Sequence, residues 1–154
     1  MRLTTMTDYA MRLLMYIAHQ PNRLCTIAEI AAAYDISEAH LMKITHQLGL
    51  AGFIETVRGK GGGMRLAAAP EKINLGQVVR RMEPDFALVE CFAADNDCVL
   101  TRGCRLAGII ADARDAFLAQ MDRHTLADLV LPQPGNSAPA RLVVRKNRPL
   151  KKAA

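Results

Sequence analysis

Apolar side chains recur every third or fourth position from Thr7 to about His19, where Ala10, Leu13, Leu14, Ile17 and Ala18 share the face of an amphipathic helix. Pro21 and Asn22 close it. Thr26-Ile27-Ala28-Glu29 has the form of a capping box and predicts a second helix to about Tyr34, with Ile27, Ile30 and Ala31 inward. Asp35-Ile36 makes a short connection. Ser37 is then a good N-cap for a third helix through about Leu48, with Leu41, Ile44 and Leu48 as its inner stripe and Gly49 and Gly52 marking its end. After that the period changes. Phe53 to Val57 reads as a strand, Arg58 to Gly63 as a glycine-rich tip and Met64-Arg65-Leu66 as a return strand. Ile73 to about Met82 predicts a further helix. The stretch 85–104 has no period and reads as a loop. From Arg105 to about Asp122 a long helix carries Leu106, Ile110, Ala113, Phe117 and Met121 on one face, and Thr125 to Leu131 adds a short closing helix.

A longer helix, two short ones joined by a tight turn and then a hairpin make a winged helix-turn-helix. The fold class is therefore mainly α with a small β wing, followed by a long helix. A single long helix beside so small a domain has little to bury itself against, and pairing with its copy in a second chain answers that need. Three segments follow: residues 1–82 as a winged-helix DNA-binding domain, 83–131 as a cysteine-bearing loop and dimerisation helix, and 132–154 as a disordered basic tail rich in Pro and Ala.

Composition narrows this further. Half the residues are apolar and Trp is absent, so the core is built of Leu, Ile, Ala and Met. No apolar run approaches the roughly 20 residues that span a bilayer, and the first residues lack the layout of a signal peptide. The expected compartment is the cytoplasm, where thiols stay reduced and four cysteines point to metal binding before disulfides. The net charge of +5 matters less than its placement. Residues 1–81 carry ten Lys and Arg against six Asp and Glu, residues 82–140 four against nine, and residues 141–154 six against none. A basic front half joined to an acidic back half suits a DNA reader with a sensor or dimer module behind it.

On the third helix, the face opposite the apolar stripe presents Glu38, His40, Lys43, His46 and Gln47. Together with Ser37 at its start, His40, Lys43 and His46 supply the outward donors and cations of a recognition helix. Arg58-Gly59-Lys60-Gly61-Gly62-Gly63 lacks the Gly-Lys-Ser/Thr ending and following helix of a phosphate-binding loop. As a wing tip it places Arg58 to enter a narrow minor groove, with Lys60 and the small Gly61 and Gly62 close to the DNA backbone.

Cys91, Cys98 and Cys104 fall within fourteen residues, with six and then five residues between them. Neither gap matches a zinc knuckle or a redox Cys-x-x-Cys pair. A flexible loop can still turn three thiolates toward one centre, as an iron–sulfur cluster requires. Cys25 stands alone and reads as a small buried hydrophobe. A further ligand is needed: no histidine follows Cys104 closely, and the oxygen candidates are Asp95, Asp97 and, more distantly, Asp8. Asp8 also has an ordinary role as an acidic helix-start residue paired with Arg12.

Met1-Arg2-Leu3-Thr4, Tyr9-Ala10, Val57-Arg58-Gly59-Lys60-Gly61-Gly62-Gly63 and the three cysteines resemble the Rrf2-type winged-helix regulators over roughly residues 1–131. Within that family the chain is most similar to the nitric-oxide-sensitive branch through Thr7-Asp8-Tyr9, Leu88-Val89-Glu90-Cys91 and Thr125-Leu126-Ala127-Asp128-Leu129. The branch that regulates cluster assembly has a histidine three residues after its last cysteine, where this chain has Ala107. The resemblance implies a homodimeric repressor of a double-stranded DNA operator, with a cluster on Cys91, Cys98 and Cys104. It also implies Asp8 of the partner subunit as fourth ligand, and relief of repression when nitric oxide nitrosylates the cluster. A 4Fe–4S cluster suits a single oxygen-ligated iron, with 2Fe–2S the alternative. Two departures are the step from Cys91 to Cys98 and the basic tail.

Other readings are a cluster regulator answering to iron supply or redox state, and a zinc-stabilised interaction module without sensing. An enzyme is disfavoured: there is no Ser/His/Asp set, paired-carboxylate motif or nucleotide loop, and His19, His40, His46 and His124 share no evident site.

Overall fold

The computed structural model describes residues 2–93, 95–100 and 103–130. Helix α1 (Thr5–Ala18) begins two residues before the apolar spacing predicts, because Thr4 caps it: its hydroxyl accepts the Thr7 N–H at 3.3 Å. Glu83 accepts the Thr4 N–H at 2.8 Å, tying the start of α1 to the segment that follows the wing. Helix α2 (Ile27–Tyr34) starts at Thr26, whose hydroxyl accepts the Glu29 N–H. It ends at Asp35, whose φ of 54° lies in the left-handed region that Asp tolerates better than most side chains. Helix α3 (Glu38–Leu50) is capped by Ser37 and runs two residues past its expected end. Gly49 is still helical, and the left-handed residue that turns the chain is Gly52.

The wing is the antiparallel pair β1 (Ile54–Val57) and β2 (Gly63–Leu66), with Ile54 opposite Leu66 and Glu55 opposite Arg65. Arg65 donates to Glu55 across the pair at 2.7 Å. Cys25 adds a bridge to β2, donating its N–H to the Met64 carbonyl at 2.9 Å and accepting the Met64 N–H at 2.7 Å. One residue has no alternation to read, so the pattern gave no sign of this third edge.

Asn74 caps helix α4 (Leu75–Met82), which is preceded by a 3-10 turn at Pro70–Lys72. The segment after it is irregular apart from a 3-10 turn at Glu90–Phe92. Helix α5 (Arg105–Asp122) has the bounds its pattern predicts, and a 3-10 turn at Leu126–Leu129 follows. Leu131 and the tail 132–154 lie outside the described residues.

The core is built from Leu13, Leu14 and Ile17 of α1, Ile30 of α2, Leu41, Ile44 and Leu48 of α3, and Val78 of α4. Each such side chain contributes about 1.5–3 kcal/mol by leaving water. Leu126 is buried among them and holds the closing turn in place, donating its N–H to the Ile73 carbonyl at 2.8 Å.

Helix α5 differs, because none of its eighteen residues is buried. Its C-terminal end is fastened to α4. Arg80 donates both guanidinium arms to Asp122, at 2.5 and 2.7 Å, and the Asn74 amide donates to the Asp122 carbonyl at 2.7 Å. The Arg80 guanidinium, through those hydrogen bonds, holds the Asp122 carboxyl below its usual pKa. Gly76 makes room for this contact, since a Cβ there would lie 1.9 Å from Asp122 Oδ1. The apolar face divides in two. Met121 packs on the core, and Phe117 lines a cleft with Phe86 and Leu88. Leu106 and Ile109 remain more than 60 % exposed, in line with the exposed Ala113 and Ala116. Among the described residues no helix is long and apolar enough to cross a membrane.

Candidate nucleic-acid interface and metal centre

Burial of Leu41, Ile44, Thr45 and Leu48 fixes which side of α3 faces solvent. Glu38, Ala39, His40, Met42, Lys43, His46 and Gln47 are all exposed. Ser37 spends a lone pair on the His40 N–H at 3.3 Å, which leaves its hydroxyl proton for another acceptor. The His40 ring meets the Tyr9 ring edge-on with centroids 6.3 Å apart, so it is held toward α1. Lys43 and His46 lie one turn apart on the outward side. On the wing Arg58 and Lys60 are exposed. The turn explains its own glycines: Gly59 and Gly61 have left-handed backbones, and a Cβ on Gly62 would fall 2.3 Å from the Val57 carbonyl oxygen.

Cys91, Cys98 and Cys104 are all half-buried. Cys91 sits within the 3-10 turn Glu90–Phe92, beside a ring that stacks under Arg114 of α5 at 5.3 Å. Cys104 is the cap residue of α5, and its side chain makes no capping hydrogen bond. Among the described residues no three His, Cys, Asp or Glu side chains converge on one metal-binding point. The donor chemistry fits a thiophilic iron centre; closure of the loop around it would accompany binding, as metal sites couple to folding.

Asp8 is on α1, and in the single chain its carboxylate takes both Arg12 Nε at 3.2 Å and Arg12 Nη2 at 2.7 Å. Arg12 also lies over the Tyr9 ring at 5.6 Å. Tyr9 and Arg12 thus join Asp8 to α3. Sequence reasoning could not find this, because the Tyr9–His40 contact is tertiary. Asp95 and Asp97 are exposed in the cysteine loop. Cys25 is fully buried, and burial followed by the neighbouring Glu29 charge pushes its thiol up to about 11. That fits a core residue and sets it apart from the other three.

A capped recognition helix, a basic wing and a long helix with an uncovered apolar stripe define a winged-helix DNA-binding regulator. Residues 3–132 match the Rrf2 family, described as an iron-dependent transcriptional regulator, and the chain belongs to that family. It is a transcriptional regulator, not an enzyme. The chain is 47% identical over 133 residues to the HTH-type transcriptional regulator NsrR of Shouchella clausii (strain KSM-K16), covering 85% of this chain and 89% of that one. It is 50% identical over 132 residues to the regulator of the same name from Geobacillus kaustophilus (strain HTA426), covering 84% and 90%. Among solved structures, the global cysteine regulator CymR of B. subtilis matches with a TM-score of 0.67 at 24% identity, over 84% of this chain and 96% of that one. That last likeness is one of fold.

Proposed function

We propose that this chain is a homodimeric repressor that leaves its operator in response to nitric oxide. An iron–sulfur cluster would be held by Cys91, Cys98 and Cys104, with Asp8 of the partner subunit as fourth ligand. The observation that carries the reading is the position of Cys104. It caps the same helix that presents the uncovered stripe Leu106, Ile109, Ala113 and Ala116, so loop closure and the dimer contact share one element. Nitric oxide as the signal is supported by the likeness to the regulators named NsrR, which share about half their residues with this chain.

Bound there, a cluster supplies iron reactive toward nitric oxide, with 4Fe–4S favoured over 2Fe–2S because one oxygen-ligated iron makes a distinct corner. The chain's residues do the rest. Cys91, Cys98 and Cys104 would hold the cluster, and the Asp8 carboxylate would give up its Arg12 pair to act across the dimer. Ser37, His40, Lys43, His46, Arg58, Lys60, Gly61 and Gly62 form the DNA-facing side. In a symmetric dimer the two α3 helices meet half-sites about one helical turn apart, so a small change in the dimer angle ends binding.

Anaerobic purification, iron and sulfide analysis, and absorbance and operator binding before and after nitric oxide test this reading. The expected result is a coloured protein whose spectrum and DNA affinity fall together. A colourless zinc protein overturns the cluster. A coloured protein whose DNA binding ignores nitric oxide but follows iron or oxidant moves the assignment to the iron-supply or redox reading.

A further inference from the structure

The DNA-facing side of α3 is poor in the side chains that read bases by paired hydrogen bonds. Arginine with guanine, and asparagine or glutamine with adenine, are the usual bidentate pairs. Among the exposed residues of α3 only Gln47, in its C-terminal half, is of these types. His40 is drawn toward Tyr9. Glu38, Lys43 and His46 remain, and a lysine at this distance from the bases serves phosphate as readily as a base. In their midst Met42 stands 56% exposed, a large apolar side chain on a surface otherwise charged, polar or small. Ala39 is exposed one turn before it, at the i, i+3 spacing that makes side chains neighbours.

An exposed methionine in that position costs nothing to the fold if removed, since it packs little of the core. What it offers is an adaptable apolar tip next in sequence to the exposed cation Lys43. On the floor of the major groove one feature is apolar: the 5-methyl group of thymine. We infer that Met42, with Ala39 beside it, is a specificity-determining residue that reads thymine methyl groups in each half-site. Lys43 and the wing arginine hold the helix to the backbone while Met42 makes the selection. This inference rests on the DNA-reading role of α3 proposed above.

The full-length protein, purified anaerobically, is used to select duplexes from a random pool, and the selected operator is resynthesised with deoxyuridine replacing thymine one position at a time. Deoxyuridine lacks only the methyl group. The wild type is expected to lose about fourfold affinity per half-site at one thymine position, the effect of burying one methyl, and about fifteen-fold when both half-sites are changed. Met42→Ala is expected to bind the thymine operator more weakly than wild type and to show no further loss with deoxyuridine, while its thermal midpoint stays unchanged. A wild type indifferent to deoxyuridine at every position, or a Met42→Ala variant that keeps the full deoxyuridine penalty, overturns the inference and leaves the DNA-reading role standing. A protein that enriches no duplex removes that role and the inference with it.

Discussion

Asp8 faces a choice that its geometry makes plain. Its carboxylate is already matched to the Arg12 guanidinium through two hydrogen bonds, yet it is half-exposed, and such a pair stabilises a helix by only a few tenths of a kcal/mol. Giving it up for a metal is therefore inexpensive. Asp8→Ala is expected to leave a cluster that assembles but is more labile or differently coordinated, whereas Cys91→Ala, Cys98→Ala and Cys104→Ala each abolish it. If Asp8 is only a helix-end charge, the spectrum and nitric oxide reactivity of Asp8→Ala match the wild type and stability drops by about 0.3–1 kcal/mol. Cys25 gives the opposite prediction. With its thiol raised to about 11 and fully buried, it should resist alkylation at pH 8 in the native protein while Cys91, Cys98 and Cys104 of the cluster-free form react. Mass spectrometry of the labelled sites decides this, and early labelling of Cys25 would show an open core. On the DNA side, Arg58→Ala should weaken operator binding by about 1–3 kcal/mol, and Lys43→Ala should lower the salt slope by about one. Binding unmoved by both changes would place the DNA-reading face elsewhere.

At the level of elements, the sequence is most legible where local chemistry and burial agree. Ser37, Thr26 and the stripes of α1 and α3 point to the same helices that the chain forms. Boundaries slip at Thr4, whose cap is supported by the distant Glu83, and at Gly49, which the helix absorbs before the left-handed Gly52 turns the chain. The bridge from Cys25 to Met64 has no local signal at all. Helix α5 shows the limit most clearly. Its periodicity gives its bounds but not which of its apolar residues turn inward, because Phe117 and Met121 find partners in their own chain. The stripe left for a second copy is Leu106 and Ile109 with Ala113 and Ala116, small enough along half its length for close approach. Ile109→Asp should therefore yield a folded monomer with lost operator binding, since the charge would be buried without a partner. A dimer of this variant in sedimentation would move the interface off that stripe.

For the whole molecule, α3 and the cysteine loop are remote in sequence: α5, whose cap residue is Cys104, packs on α4, α4 packs on α1, and α1 packs on α3. The three candidate cysteines stand out in the chain by falling within fourteen residues, whereas Asp8 is singled out only by the resemblance. How α5 joins the rest of the fold could not be read there, since the joint runs through Asn74, Arg80 and Asp122, three polar residues with no motif. That joint turns α5 into a lever. Eighteen residues at 1.5 Å each give an arm of about 27 Å, pivoting beside Asp122 and ending at Cys104. A movement of about 2 Å at the cysteine end would be a rotation of about 4° at the pivot, and in the proposed dimer two-fold symmetry would apply it to both α3 helices at once. A lever with a loose fulcrum transmits little. Arg80→Ala should keep dimer and cluster but shrink the difference in operator affinity between cluster-bound and cluster-free protein; an undiminished difference would show that the signal travels by another route, such as Asp8, Tyr9 and His40. If the proposed cluster is the sensor, the reach of α5, more than the strength of any one bond at its far end, would set how small a chemical event the DNA can feel.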